Sequence, residues 1–200
     1  MAVATPEIYR HDQFVARRQF FRLFGAGFTI MALDGKPLAA SEQAAFRLKE
    51  DIRVNDSSNG GTEILRIKAD RIIDFSAAYQ VTDSQTGEHI GTLRRKGWSS
   101  LFRDSWEILD DNGVVRAKIT EDSQWKATVR RFVELASLFL PQTYHIEVDG
   151  QIVGTMAQNF NIFVQKYHVD LTHDADSILP RPLAVAAVIL LLAIEGRQGT

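Results

Sequence analysis

The sequence predicts a mainly β protein in which one curved antiparallel sheet rolls around a single buried C-terminal helix. Three observations carry that fold class. Leu183 to Ile194 is a run of twelve residues without one polar side chain. A hairpin-shaped unit recurs along the chain ahead of it. Within the arms of those units, apolar and polar residues alternate with period two, the mark of strands with one buried and one wet face.

The apolar run comes first because its length decides its meaning. A helix rises about 1.5 Å per residue, so twelve residues span roughly 18 Å, whereas a bilayer core needs about 20 apolar residues. A segment this short and apolar on every side belongs inside a protein core. Pro180 and Pro182 break the strand pattern before it, Pro182 suits a first helical position, and Gly196 suits the position just past a helix end. The central helix is therefore predicted over 182–195, and the chain is not expected to be an integral membrane protein.

The hairpin units follow. Tyr79-Gln-Val-Thr-Asp83 turns through Gly87 into Ile90-Gly-Thr-Leu93, and Tyr144-His-Ile-Glu-Val-Asp-Gly150 turns into Val153-Gly-Thr-Met156. Trp106 to Ile119 repeats the shape around Asn112-Gly113, a strong hairpin signal, and Thr29 to Leu38 repeats it more loosely around Asp34-Gly35. Leu65, Ile67 and Ala69 alternate with Arg66 and Lys68. Ser57-Ser-Asn-Gly-Gly61 is read as a loop inside the domain, since β pattern continues on both sides. The segment 123–140 places Trp125, Val129, Phe132, Ala136 and Phe139 at helical spacing, although its apolar second half reads equally well as strand and loop.

Composition limits the function classes. At 200 residues and 45% apolar content the chain reads as a single domain over 1–200, with 1–12 as an N-terminal extension. Its 23 basic and 25 acidic residues leave a net charge of -2, which argues against a nucleic-acid partner. It contains no cysteine, which removes disulfides, thiolate metal sites and cysteine nucleophiles. The N-terminus has no secretory pattern, so a cytoplasmic protein is expected, at most peripheral to a membrane.

Phe46-Arg-Leu-Lys-Glu-Asp-Ile-Arg-Val54, Tyr79-Gln-Val-Thr-Asp83, Gly91-Thr-Leu-Arg-Arg-Lys-Gly97, Phe102-Arg-Asp-Ser-Trp-Glu-Ile108 and the closing apolar helix together resemble the tubby C-terminal-like superfamily, in its LURP-one-related and phospholipid-scramblase-like branch. The resemblance runs from about Phe14 to Arg197. It implies a closed barrel of about twelve strands around the C-terminal helix. It also implies a choice of roles, since tubby-like domains bind phosphoinositides and scramblases move lipids, while one fold hosts many functions. The calcium segment of scramblases has a thin counterpart in Asp174 and Asp176; calcium takes six to eight oxygen ligands, so an acidic loop before a helix is the favoured reading.

The search for chemistry finds no catalytic constellation and implies no cofactor. The five histidines have no metal-ligand spacing, and the His168, Asp170, His173, Asp174 group reads better as a solvated strand end. The stronger cluster is Arg94-Arg95-Lys96 with Trp98: arginine forks match phosphate oxygens, and tryptophan favours a membrane boundary. Lys126, Arg130 and Arg131 would extend it if the two segments adjoin. The competing reading is a solvated set paired with Asp104, Glu107 or Glu121. The sequence thus points to a non-enzymatic module that binds an anionic membrane surface or phosphoinositide from outside the barrel. The alternatives are scramblase-like lipid transport and a scaffold for a protein partner.

Overall fold

Twelve strands and one long helix make up a computed structural model that describes residues 5–21, 25–43, 51–70, 78–96, 105–122, 142–159, 166–174 and 177–195. The strands are β1 (Gln13–Phe21), β2 (Gly25–Met31), β3 (Pro37–Gln43), β4 (Asp51–Asp56), β5 (Glu63–Ala69) and β6 (Ala78–Asp83). They continue as β7 (His89–Arg95), β8 (Ser105–Leu109), β9 (Val115–Glu121), β10 (Thr143–Val148), β11 (Gln151–Gln158) and β12 (Lys166–Asp170). Each strand pairs antiparallel with its neighbours in sequence, and β1 pairs with β12 to close the barrel, so no strand among the described residues is left as an edge. Closure fixes one register, Gln13 opposite Asp170 through Arg17 opposite Lys166.

The helix α1 (Arg181–Glu195) occupies the barrel, as the apolar run predicts. Every residue from Leu183 to Ile194 is buried, none more than 9% exposed. The strands turn one face toward it: β4 shows the alternation most simply, with Ile52, Val54 and Asp56 buried and the residues between them more exposed. Hairpins read from sequence appear as β2–β3, β6–β7, β8–β9 and β10–β11, and β4–β5 adds a fifth. All five share a feature that alternation does not reveal: the pairing slips by one residue just before the turn, at Ile30/Met31, Val54/Asn55, Val81/Thr82, Ile108/Leu109 and Ile146/Glu147. A bulge at the same place in each hairpin sharpens the local twist, and this repeated bend helps the sheet to close.

The turns themselves are set by aspartate. Asp83 accepts hydrogen bonds from the backbone N–H of Gln85 and Thr86 (2.8 and 3.2 Å), and Asp110 from Asn112 and Val114 (3.0 and 2.9 Å). Gly113 then takes φ +78°, the left-handed conformation that closes the loop. An up-and-down barrel sends alternate connections to opposite ends, so these five turns share one end, which is the N-terminal end of α1, where Arg181 meets Asp12 at 2.6 Å.

Within 1–12, expected as an extension, Glu7–Arg10 form a short 3-10 helix whose Ile8 is fully buried in the core. The segment 123–140 and the Gly196 helix stop lie outside the described residues. Among the described residues no helix is long and apolar enough to cross a membrane.

Candidate site on the outer wall of strands seven to nine

Strand parity sorts the three cations that the sequence places together. On β7 the inward positions are Gly91, Leu93 and Arg95, so Arg94 faces outward, and Lys96 just beyond the strand returns to Arg94's side. Arg94 lies opposite Glu107 on β8, and Glu107 lies opposite Lys118 on β9. The Arg94 Nε and Nη2 groups donate to Oε2 of Glu107 at 3.1 and 2.6 Å, while Lys96 Nζ reaches Oε1 at 2.8 Å. One carboxylate therefore holds two cations, one on each oxygen.

Exposure separates the partners. The Glu107 side chain is 5% exposed, while those of Arg94 and Lys96 are 43% and 58% exposed. Burial by itself would raise the Glu107 pKa, but the hydrogen bonds and charges of Lys96 and Arg94 outweigh it and hold the carboxyl below its ordinary value. Two half-exposed cations on one carboxylate leave a positive surplus, and exposed Lys118 stands beside it with no ion pair among the described residues. Such a group can offer further N–H donors to an anion without breaking the contacts that orient it.

Arg95 belongs to the other face. Its guanidinium lies 5.9 Å from the ring centroid of buried Trp106, which in turn sits 6.1 Å from the ring of Tyr79. This is an inward cation–π contact near the barrel end and takes Arg95 out of the outer-wall group. Trp98, Lys126, Arg130, Arg131 and Asp176 lie outside the described residues. Asp174 is buried, and its carboxylate accepts from the backbone N–H of Ile178 (2.8 Å) and Leu179 (3.3 Å) while facing Arg181 at 3.8 Å. It ties the loop before α1 to itself. Asp170, in the histidine-containing group, accepts from Thr172 and Gln13.

A family model described as LURP-one-related matches residues 38–192 of the chain. The chain belongs to the LURP-one-related family. A protein of Arabidopsis thaliana with a known X-ray structure shares the fold, with a TM-score of 0.52 at 13% identity over 98% of this chain and 99% of that one. No curated protein matches the chain.

Sequence reasoning passed over one charged residue of this LURP-one-related barrel. Arg18 is only 3% exposed and points inward from β1, where its Nη1 donates to the Leu192 carbonyl at 3.3 Å. The last turn of a helix leaves carbonyls unsatisfied and carries partial negative charge, so a buried guanidinium is at home there. The signal was legible: alternation through Phe14 and Ala16 puts position 18 inside, and a charge at an inside position calls for a partner.

Glu107 gives this wall a pH signature. A carboxyl whose folded pKa is depressed contributes stability that is present above its unfolded value, about 4.3, and is lost as the pH falls toward the folded value. Glu107→Gln should therefore have a lower melting midpoint than wild type at neutral pH, with the gap closing steadily below about pH 4.3. Thermal melts of both proteins across the acid range measure it; a gap independent of pH would mean that the Glu107 charge contributes nothing.

Proposed function

We propose that this LURP-one-related domain is a non-enzymatic module that binds anionic phosphate headgroups, phosphoinositides among them, on the outer wall of its barrel at Arg94 and Lys96. The observation that carries this reading is the sharing of buried Glu107 by two half-exposed cations. The carboxylate fixes where both point, so little ordering is required on binding, and it neutralises only one of them. Lys118 extends the positive strip onto β9. The helix fills the barrel interior, which moves ligand recognition to the outside.

Co-sedimentation with phosphatidylcholine vesicles, with and without a minor fraction of phosphatidylinositol bisphosphate, tests it. Binding should require the anionic lipid and fall with salt. Arg94→Gln with Lys96→Gln should weaken it about tenfold or more, at about 1 kcal/mol per charge near the surface. Equal binding by wild type and the double variant would remove this wall from consideration.

A second reading, protein scaffolding, is favoured by one observation. Leu33, Val114, Val115, Ile152 and Ile178, the exposed large apolar side chains among the described residues, all lie at the turn end of the barrel. There a groove of about 330 Å³ is lined by Ile90, Asp111, Ile178 and Leu183 among others.

A further inference from the structure

The closing seam of the barrel carries a second cationic pair, with no ion pair to it among the described residues. Arg17 on β1 lies directly across from Lys166 on β12 and from Thr29 on β2, forming one row on the outer face. Arg17 faces outward because its neighbours Ala16 and Arg18 are buried. Of the two adjacent outward rows, one holds Met31, Val15, His168 and Ala157, and the other Gln19 and Gly27 with Glu42 following on β3, so neither sets a carboxylate on β1, β2 or β12. Asp170 lies further along β12 and is engaged by Thr172 and Gln13.

Like charges directly opposite across a strand pair repel, and a guanidinium N–H cut off from water without an acceptor is costly. Both conditions hold here. Arg17 Nε is shielded from solvent and has no hydrogen-bond partner, and neither Arg17 nor Lys166 has an ion pair among the described residues. In the Arg94 group, by contrast, the cations already share Glu107. The row is a donor set with no charged acceptor paired to it among the described residues.

We propose that Arg17, Lys166 and Thr29 form a second anion site, built for a phosphate monoester or free phosphate. The guanidinium fork serves two oxygens, the ammonium a third, and the Thr29 hydroxyl adds a neutral donor; a phosphate dianion supplies both the charges and the oxygens. A carboxylate has one charge and two oxygens and leaves part of the set unserved. This site does not depend on Arg94 and Lys96, which lie five strands away around the ring. It shares their end of the barrel, since neighbouring Arg18 reaches Leu192 near the C-terminus of α1. A flat membrane meets both walls only if the barrel stands on that end.

The test follows the Arg17 Nε–H signal of the full chain by NMR during titration with inorganic phosphate, against sodium chloride at matched ionic strength. A saturable shift specific to phosphate is expected. Lys166→Met, which keeps the stem and removes the charge, should weaken it about fivefold or more, while the melting midpoint without phosphate does not fall, because a like-charge repulsion has been removed. Vesicles containing phosphatidic acid, a monoester, are compared with vesicles containing phosphatidylglycerol, a diester. A monoester-specific shift identifies a lipid headgroup, and a shift confined to free phosphate identifies a soluble ligand. Arg94→Gln with Lys96→Gln should titrate as wild type, so failure of the first wall leaves the second intact. A shift reproduced by chloride, or a Lys166→Met protein that titrates like wild type, overturns the proposal.

Discussion

A chain ending at Leu179 will show no cooperative thermal transition and will collect in the insoluble fraction. The eight large aliphatic residues of Leu183 to Ile194 are all buried inside the ring of strands. At about 1.5 to 3 kcal/mol each they contribute roughly 12 to 24 kcal/mol, an upper figure because the unfolded chain already hides some of this surface. A domain's whole net stability is about 5 to 15 kcal/mol. Loss of α1 also removes the Leu192 carbonyl to which buried Arg18 Nη1 donates. Differential scanning calorimetry and near-UV circular dichroism on the truncated chain decide the matter. A soluble truncation that melts cooperatively would show that the barrel stands without its helix.

Gly91→Ala should be the most damaging single-methyl substitution in a hairpin. A Cβ built at Gly91 would sit 2.4 Å from the Leu109 carbonyl oxygen and 2.8 Å from Leu183 Cδ2, at a φ of +156°. The carbonyl is backbone of the neighbouring strand and cannot swing aside, while Leu183 belongs to α1. Overpacking of this kind costs about 1–3 kcal/mol, and the backbone clash places Gly91 toward the upper part of that range. Gly154 occupies the matching place in the β10–β11 hairpin, yet its Cβ would meet first the flexible Leu171 Cδ2 at 2.7 Å, with backbone only at 3.3 Å. Urea unfolding should thus rank Gly91→Ala below Gly154→Ala in stability by about 1 kcal/mol or more. Equal midpoints would mean that β7 and β8 can part without cost.

Local pattern made much of this fold legible. The twelve-residue apolar run and its prolines located α1, and aspartate-glycine turns located four hairpins. What local pattern could not supply was the pairing of β1 with β12, because Gln13 and Asp170 are 157 positions apart. No turn chemistry links two strands so distant. The Arg17–Lys166 row exists only through that closure, so the second cationic pair stayed invisible while the contiguous Arg94-Arg95-Lys96 cluster stood out. Even that cluster is not one group. Period-two alternation separates Arg95 from its neighbours, and applying it within the triplet would have placed Arg95 with Trp106 inside. Glu107 stood among the possible partners, but its burial and its double occupancy depend on how β7 lies beside β8.

The position of α1 has a consequence for how the protein is made. The helix follows all twelve strands in the chain, so a ribosome completes every inner face before it makes the element that covers them. Until synthesis has passed Ile194, the emerging strands can pair locally into hairpins but have nothing to wrap, and their apolar sides face water or a chaperone. Maturation of this barrel is therefore a late, nearly all-at-once event. Conditions that slow translation through Arg181–Glu195 should lengthen the time the nascent chain spends bound to chaperones, even where the finished protein is equally stable.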